Sequence, residues 1–404
     1  FDGKINKNQL KDLVQHLHNL LQELAVPMGE RQEVTKMKHF FKSNYPQKTN
    51  VDLLTFYEDY YREFKKPEEE FIRRQKEEKK EKEKEGKGGE GNRKENLLNS
   101  KKSPFYVETL EQQRERIEKW EEKFSQELKI SENIGQETVQ INLEMLKRIN
   151  AALDFKSEKK KRTRSHGAFL QVIDKTPEGK LNAVVNGAFS GYGKMLSRFL
   201  HIFDEKITQD TCEANRLLMK EETLFLENSD ASYFNANLHP PLMPYEIWSP
   251  GAQNSLPSEK QLAVTDFEVR YDSLSDELIL VHKPTQNRAF VFDLCFQSQR
   301  GRSKLFQLLD NFTDAAYLSP YLLINAINKF VEKENKKGNS ASINIYPRVV
   351  FENSLIIQRK RWEIGKAHMP QKLPQESDSA FFYGIKRWKD SFGIPDEVFV
   401  ILNP

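Results

Sequence analysis

One stretch, residues 183–203, constrains the fold most because its pattern changes twice within a short span. An apolar run at 183–185 has the composition of a buried strand and is followed by an Asn-Gly pair. A small-residue segment with Gly191 and Gly193 comes next, and residues 194–203 then have the apolar spacing of an amphipathic helix. The stretch predicts a strand that breaks at the Asn-Gly pair, a glycine loop and a helix.

The glycine loop allows two interpretations. Glycines let a backbone approach a ligand closely, and a helix that starts there offers unpaired N–H groups to an anion. The spacing of Gly187, Gly191 and Gly193 matches neither the dinucleotide fingerprint nor the phosphate-binding P-loop. A glycine turn followed by an ordinary packed helix is therefore the more common reading of this pattern.

Composition sets broad limits. With 404 residues, the chain can form two or three domains, and its net charge of +3 indicates no particular partner. Cys212 and Cys295 form neither a disulfide framework nor a zinc motif, which fits the reducing cytoplasm. No apolar run is long enough to span a membrane. The first residue, Phe1, and a final strand-like run predict a fragment that is truncated at both ends.

Three parts are expected along the chain. Residues 1–74 contain a helical leucine stripe and an aromatic-rich segment, which predict a helical part. Residues 75–102 are dominated by lysine, glutamate and glycine, so we expect a charged insertion, disordered over 75–100, that cannot bury enough surface to become ordered. Residues 103–404 form the main α+β part.

The helix and strand patterns of the main part predict an α+β fold in which helices accompany largely antiparallel sheets. Residues 110–128 and 139–153 have helical spacing, and residues 169–185 have the pattern of a β-hairpin. Residues 262–292 contain three short strand candidates that predict an antiparallel meander. Residues 343–363 predict two strands joined at Glu352 and Asn353.

A resemblance to one family follows from five motifs in order. They are VNGAFSGYGKMLSRF at 185–199, NANLHPPLMPYEIW at 235–248, LAVTDFEVRYDSLSDELILVH at 262–282, YPRVVFENSLIIQRKRWEI at 346–364 and RWKDSFGIPDEVFV at 387–400. The series resembles the N-terminal glutamylation domain of class I lantibiotic (lanthipeptide) dehydratases, from about residue 136 to the end. The charged insertion at 75–100 departs from the family's pattern.

The resemblance implies a bacterial, cytoplasmic transferase. It would move glutamate from glutamyl-tRNA to Ser or Thr of a ribosomally made precursor peptide in lanthipeptide or thiopeptide biosynthesis. Glutamyl-tRNA is then the co-substrate, and no bound cofactor is expected. Expected partners are the precursor peptide, a lanthionine cyclase or separate elimination domain, and a second copy in a homodimer. The alternatives are a peptide aminoacyl-tRNA ligase and a non-catalytic peptide- or RNA-binding scaffold.

Transfer of an activated ester requires positioning and charge stabilisation rather than a protein nucleophile. Lys194, Arg198 and His201 are spaced to share one face of the predicted helix and could bind tRNA or the glutamate carboxylate. Arg198 is the first catalytic candidate. An ordinary surface stripe with salt bridges is the alternative reading.

Arg348, which opens a predicted strand, is the second catalytic candidate because a guanidinium can grip a carboxylate or phosphate; a structural ion pair is the alternative. Arg359 and Arg361 alternate along a predicted strand and would suit RNA contact, or form the exposed side of a sheet.

Polar residues of the proline-rich segment could bind peptide or ribose hydroxyls, although asparagines commonly cap turns. These residues are Asn235, Asn237 and Glu246. No histidines have metal-ligand spacing, so no metal site is expected.

Overall fold

The structure is a computed structural model. It describes residues 7–84, 104–130, 137–155, 165–175, 181–194, 196–230, 237–249, 251–252, 254–296, 301–313, 320–337 and 343–401. The helices are α1 (Lys7–Met28), α2 (Gln32–Asn44), α3 (Leu53–Tyr60), α4 (Lys66–Lys84), α5 (Glu108–Ile130), α6 (Leu143–Ala152), α7 (Glu205–Leu218), α8 (Lys304–Leu309), α9 (Tyr321–Lys337) and α10 (Asp378–Ser391). A π-helical turn, Tyr61–Lys65, joins α3 to α4.

Fourteen strands are described in these ranges, and they form three sheets. They are β1 (Asn50–Asp52), β2 (Thr138–Ile141), β3 (His166–Lys175), β4 (Leu181–Ser190), β5 (Thr223–Glu227), β6 (Tyr245–Trp248), β7 (Gln261–Ala263), β8 (Phe267–Asp272), β9 (Glu277–His282), β10 (Arg288–Phe292), β11 (Ile343–Tyr346), β12 (Arg348–Phe351), β13 (Leu355–Gln358) and β14 (Arg361–Ile364).

The largest sheet has seven strands in the order β1-β8-β9-β10-β5-β6-β7. Strands β8, β9 and β10 form the predicted antiparallel meander, whereas β10, β5, β6 and β7 run parallel to one another. All five residues of β5 are buried, because Leu224 and Leu226 enter one apolar cluster and Phe225 enters another on the opposite face. The sheet is therefore covered on both faces around β5.

The second sheet has five strands in the order β2-β12-β13-β4-β3, and β11 pairs with β14 in a two-stranded sheet. Helices α1, α5, α6 and α9 pack their apolar stripes against the five-stranded sheet around Trp120 and Phe124, both fully buried. Of the eleven pairings among described strands, six are antiparallel and five parallel. The predicted α+β class is confirmed, with antiparallel pairing in a small majority.

The N-terminal helical segment is integrated with the rest of the fold. Its strand β1 pairs antiparallel with β8 at the edge of the seven-stranded sheet, and α1 lies in the core of the five-stranded sheet. Helix α4 continues to Lys84, so the expected disorder is wrong for residues 75–84. Glutamate and lysine are good helix formers, and pairs such as Arg73 and Glu77 support adjacent turns. Residues 85–102 of the predicted insertion lie outside the described residues.

The strand predicted to break at Asn186 instead continues. Strand β4 pairs with β3 on both sides of this position, since Gly187 is opposite Phe169 and Val185 is opposite Leu170. Asn186 is the extra residue of a β-bulge, which absorbs the Asn-Gly pair without ending the strand.

The helix predicted for residues 194–203 is also different. Only a 3-10 helix, Ser197–Ile202, is present. The buried hydroxyl of Ser197 donates to Lys194 O at 3.0 Å and to Leu294 O at 2.8 Å. These side-chain bonds compete with the α-helical pattern at the start of the segment.

Three other boundaries were wrong. The helix predicted from residue 139 begins only at Leu143, after β2, because the side chain of Asn142 caps it by accepting from Met145 N at 2.9 Å. The proline-rich loop ends in β6, since all its prolines precede Tyr245 and leave the strand amides free to pair. The two strands predicted in 343–363 are four short ones, although the turn at Glu352 and Asn353 is confirmed by their positive φ angles.

Candidate functional site

The carboxyl ends of parallel strands β5 and β10 meet at one edge of the seven-stranded sheet. Glu227 is the last residue of β5 and is paired in register with Phe292, the last residue of β10. Asp293 follows directly, and both carboxyl side chains are buried. Ligand sites in sheets with parallel strands occur at this end, because the strands deliver loop residues to a common edge. Two buried carboxyl groups at this edge identify it as the candidate functional site.

Lys194 reaches this edge from the glycine loop. Its Nζ donates to Asp293 Oδ2 at 2.8 Å and to Asp293 O at 2.9 Å. The Asp293 carboxylate also accepts from Cys295 N at 2.9 Å. A buried carboxylate requires such partners because desolvation disfavours its charge. The ion pair therefore fixes the glycine loop against the end of β10.

The glycines of this loop serve close packing. Gly191 and Gly193 have φ angles of +88° and +101°, in the left-handed region that favours glycine. A Cβ added to Gly191 would lie 2.6 Å from Leu294 Cδ2, and one added to Gly193 would lie 2.8 Å from Leu242 Cδ1. The loop can lie this close to the sheet edge only without side chains at both positions.

Several N–H groups of the loop are engaged within the protein. Gly191 N donates to Ser165 O, Tyr192 N to Ser165 Oγ and Ser197 N to Gly193 O. A phosphate cradle needs several backbone N–H groups that point to one ligand without internal partners. The geometry thus favours the turn interpretation over the phosphate-site interpretation.

Arg302 is a second cation at the same edge, and its side chain is only 2% exposed. Its Nε donates to Asp230 Oδ1 at 2.7 Å, and its Nη1 lies 4.0 Å from Asp293 Oδ1. The guanidinium carbon lies 3.7 Å from the centre of the Phe306 ring, which it stacks on. Nη1 is buried and has no hydrogen-bond partner. Lys194 and Arg302 thus approach Asp293 from two different segments.

A chain of three further groups lies beside these ions. His239 Nδ1 is 3.5 Å from Glu227 Oε1, and its Nε2 is 3.7 Å from Cys295 Sγ. Glu227 Oε2 accepts from Leu242 N at 2.8 Å. Burial raises the pKa of Glu227, and the neighbouring His239 opposes that shift. Burial also raises the pKa of Cys295 to about 11, so the thiol is protonated at neutral pH and is a poor nucleophile.

Two of the three cationic residues that were predicted to share a helical face remain together. Arg198 and His201 lie three residues apart in the 3-10 helix, which places them on the same side. Arg198 is half-buried and His201 is exposed, with its Nδ1 3.0 Å from Arg198 O. Lys194 precedes the helix and is bound to Asp293. The structure therefore keeps all three residues on one segment but not on one helical face.

The other predicted arginines are not gathered at this edge. Arg348 is exposed at the start of β12, on the five-stranded sheet. Arg359 donates to Gln171 Oε1 at 2.6 Å, whereas the guanidinium of Arg361 stacks on the Tyr346 ring at 4.1 Å. Arg359 lies between β13 and β14, so the two residues are not the paired face of one strand.

The polar candidates of the proline-rich segment have separate positions. Asn235 lies outside the described residues. Asn237 is the first residue of the next described range and is half-buried. Glu246 lies on β6 rather than in a loop and is buried; its Oε2 accepts from Ser255 N at 3.0 Å and from Leu256 N at 2.7 Å. These bonds favour a structural role for Glu246, as the anchor of the loop that follows β6.

The sequence interpretation missed Glu227, Asp293 and Arg302. Two of them have a usable signal, since Glu227 ends and Asp293 follows a short apolar strand candidate. Arg302 has no such signal, because only the fold brings it to Asp293. Within the described ranges, no group of three His, Cys, Asp or Glu side chains could hold a metal ion. In the same ranges no helix has the length and apolarity needed to cross a bilayer.

Comparisons with known proteins agree with the fold. The family model for the N terminus of lantibiotic dehydratases matches residues 86–402. The structure is similar to the glutamylation domain of TbtB, from thiomuracin biosynthesis, bound to 5'-phosphodesmethylglutamycin, with a TM-score of 0.61 and 18% identity. A second structure of that domain matches with a TM-score of 0.60 and 17% identity. Each alignment covers 96% of this chain and 42% of the TbtB chain, so this chain spans less than half of that protein's length.

A more distant likeness is to the tRNA-dependent lantibiotic dehydratase MibB from Microbispora sp. 107891. Its TM-score is 0.49 at 12% identity, over 68% of this chain and 26% of that one. No curated protein matches the sequence. At these identities the TbtB structures establish a shared fold.

Proposed function

Because the chain belongs to the lantibiotic dehydratases, whose N-terminal family model matches residues 86–402, we propose that it glutamylates a ribosomally made peptide. The glutamyl group would come from glutamyl-tRNA and would be placed on Ser or Thr hydroxyls before their dehydration. The partners are then the precursor peptide and the charged tRNA, and the reaction takes place in the cytoplasm, where charged tRNA is available. No bound cofactor is needed for this reaction.

The observation that supports this proposal most is the convergence of Lys194 and Arg302 on Asp293, inside the span that matches the family. Arg198 lies four residues after Lys194 on the same segment and is half-buried, and the proposal places it in the same site. Fixed cations in a poorly solvated site stabilise developing negative charge at little reorganisation cost. In acyl transfer from a glutamyl ester this charge develops on the oxyanion, and the glutamate side chain adds a permanent carboxylate that a cation can bind.

The reaction balances without another reagent. A Ser or Thr oxygen forms a bond to the glutamyl carbonyl carbon, and the bond from that carbon to the tRNA ribose oxygen breaks. The proton of the peptide hydroxyl ends on the ribose oxygen, which thereby leaves as a hydroxyl group. In this proposal Arg198 binds the glutamate side-chain carboxylate, Lys194 balances the oxyanion, and Asp293 positions Lys194.

The buried thiol supports direct transfer over a covalent protein intermediate. Cys295 is a nucleophilic side chain described at this edge, and burial raises the pKa of its thiol to about 11. A protonated thiol at neutral pH attacks an ester slowly. The tRNA ester is already activated, so positioning and charge can supply the acceleration.

The test is mass spectrometry of a precursor peptide after incubation with the protein and glutamyl-tRNA. The proposal predicts a glutamyl adduct for the wild type and a loss of roughly 100-fold in rate for Arg198→Ala, the scale of losing one charge-stabilising group. Arg216→Ala is the matched control, because Arg216 lies on α7 in an exposed ion pair with Glu213.

Other outcomes select the alternatives. An added residue at the peptide C terminus with other charged tRNAs would establish a peptide aminoacyl-tRNA ligase. Binding of peptide without modification by any charged tRNA would establish a binding scaffold. A normal rate for Arg198→Ala would leave glutamylation possible but remove Arg198 from the site.

A further inference from the structure

Helix α7 buries polar residues and exposes apolar ones. Its two buried residues are Thr211 and Asn215, whereas Ile207, Leu217 and Leu218 are exposed. A helix normally buries its apolar face, and asparagine is a poor helix former. Burial of an amide also costs free energy unless its polar atoms are hydrogen-bonded. The groups that Asn215 binds therefore have to explain its place in the helix.

The side chain of Asn215 joins three segments beside the candidate functional site. Its Oδ1 accepts from Ser165 Oγ at 3.2 Å, and its Nδ2 donates to Tyr192 O and Leu242 O, each at 3.1 Å. Both amide N–H groups are thus engaged. The partners belong to the residue before β3, to the glycine loop and to the proline-rich segment. A fully satisfied buried amide of this kind fixes the relative positions of its partners.

Tyr192 is held at both of its backbone polar groups. Its N–H donates to Ser165 Oγ at 2.9 Å, and its carbonyl accepts from Asn215. Tyr192 lies between Gly191 and Gly193, which both have positive φ angles. Glycines restrain a backbone less than any other residue. The bonds to Tyr192 therefore restrict a loop that its own sequence leaves free to move.

Leu242 packs on the same loop and is held by the same amide. Its Cδ1 would lie 2.8 Å from a Cβ added to Gly193, so it fills the space above that glycine. The carbonyl of Leu242 accepts from Asn215, and its N–H donates to Glu227 Oε2 at 2.8 Å. Asn215 therefore fixes both the loop and the residue packed against it, next to the carboxyl end of β5.

We propose that Asn215 is a positioning residue that holds the glycine loop so that the ammonium of Lys194 stays at the candidate functional site. Lys194 lies two residues after Tyr192, and its Nζ donates to Asp293 Oδ2 at 2.8 Å. The effect of Asn215 on catalysis rests on the proposed function, whereas its effect on the position of Lys194 does not. In the proposed reaction Lys194 balances the oxyanion, a charge that exists only during acyl transfer. Asn215 therefore acts on kcat.

Arg198 has a separate anchor. Ser197 Oγ, next to it in the chain, donates to Leu294 O at 2.8 Å, a bond that does not involve Asn215. Arg198 is proposed to bind the glutamate carboxylate, which is present before and during the reaction. Loss of Asn215 should therefore leave substrate binding intact. An interaction that forms only in the transition state contributes to kcat and not to KM.

Steady-state kinetics of glutamyl transfer test this division with two matched variants. Asn150, in α6, is the control because it is also buried, accepts one hydrogen bond, from Trp120 Nε1, and donates two, to Glu23 O and Oε2. Asn215→Ala should lower kcat about tenfold with unchanged KM, whereas Asn150→Ala should lower stability alone. A normal kcat for folded Asn215→Ala, or a rise in KM at normal kcat, overturns the proposal.

A double-mutant cycle tests whether Asn215 acts through Lys194. In Lys194→Met protein, Asn215→Ala should cause no further fall in kcat, because the ammonium that it positions is already absent. Independent effects of the two substitutions on kcat would contradict the proposal. Ser165→Ala removes the acceptor of Tyr192 N, so it should reproduce the kinetic effect if Asn215→Ala does not fold.

Chemical labelling separates this inference from the proposed function. Acetylation by succinimidyl acetate, followed by mass spectrometry, reports how firmly the ammonium of Lys194 is held, since its side chain is 21% exposed. Lys194 should be labelled about tenfold faster in Asn215→Ala than in the wild type or Asn150→Ala, the scale of one lost hydrogen bond. This result in a protein that shows no glutamyl transfer would support the positioning role while refuting the proposed function. Equal labelling rates in all three proteins overturn the positioning role, whatever the transfer activity.

Discussion

The two large sheets differ in what they bury. The five-stranded sheet and its helices enclose a core of apolar side chains whose buried polar residues are neutral, such as Asn150, which accepts from Trp120 Nε1 at 3.0 Å. The seven-stranded sheet and the N-terminal helices beside it bury charged groups. These are Lys38, Glu68, Glu227, Glu246, Glu268, Asp293, Arg302 and Asp310. Among the residues that the structure describes, no buried charged side chain belongs to the other sheet or its helices.

This difference separates stability from function. Apolar burial stabilises a fold by roughly 25 cal/mol per Å², whereas a buried ion pair is often no more stable than an apolar replacement. Three of these eight residues, Glu227, Asp293 and Arg302, lie around the carboxyl edge of β5 and β10. This fits the proposal that the seven-stranded sheet carries the site and that the five-stranded sheet supports it.

The largest expected effect is at Asp293. Asp293→Ala leaves Lys194 and the buried Arg302 without their shared carboxylate, so we expect a loss of about 4 kcal/mol in the free energy of unfolding. Urea denaturation measures this change. Asp396→Ala, at an exposed position, is the control and should stay within about 0.5 kcal/mol of the wild type. A similarly small change for Asp293→Ala would mean that the buried charges are not mutually dependent.

A substitution in the core of the five-stranded sheet should lower the stability of the protein without changing its activity. Leu323 on α9 is fully buried, and Leu323→Ala creates a cavity that should cost about 3 kcal/mol. The rate of glutamyl transfer, measured well below the melting temperature, should remain that of the wild type. A specific loss of activity in folded Leu323→Ala would contradict the division of roles between the sheets.

Local pattern was sufficient for much of the fold. The leucine stripe predicted α1, alternation predicted the β3–β4 hairpin and the β8–β10 meander, and the Glu352-Asn353 pair predicted a turn. Each of these signals lies within a short segment, so the sequence contains it in full. The family resemblance added the order of the elements, which single segments do not contain.

The site could be predicted only in part because it is assembled from distant segments. Lys194 and Asp293 are 99 residues apart, and the partner of Lys194 decides whether it joins a cationic strip or a buried ion pair. The first residue of the 3-10 helix also has a distant partner, since Ser197 Oγ donates to Leu294 O at 2.8 Å. Predictions based on periodicity failed where a tertiary bond replaced the local pattern.

A third prediction concerns pH and Glu227. Burial raises its pKa in the folded state above the ordinary value of 4.5, so the folded protein retains a proton that the unfolded chain loses. The bound proton contributes its full share to the free energy of unfolding below pH 4.5. This contribution is lost as the pH rises through the folded-state pKa, at up to about 1.4 kcal/mol per pH unit. Glu227→Gln should lack this slope. Equal slopes for both proteins in urea denaturation from pH 4.5 upward would show that Glu227 is ionised without cost.

The smallest effect is expected at Asp276, a carboxylate at the surface of the same sheet. Burial raises its pKa, but hydrogen bonds from Lys42, Lys38 and Tyr271 outweigh burial and lower it below the ordinary value of 3.8. The sign is therefore opposite to that of Glu227: the contribution is present above pH 3.8 and is lost as the pH falls through the folded-state pKa. Its side chain is 60% exposed, so solvent screening limits the effect to under about 1 kcal/mol.

Asp276→Asn tests this sign with little change of backbone energy, because asparagine tolerates the positive φ of 52° at this position. The variant should be slightly less stable than the wild type at pH 7, and the difference should decrease as the pH falls below 3.8 and in high salt. The same measurement on Glu227→Gln should show no salt dependence, since that carboxyl group is fully buried. A salt-independent difference at Asp276 would mean that surface and buried charges of the seven-stranded sheet behave alike. The contrast with the five-stranded sheet would then come from the presence of charged groups and not from their burial.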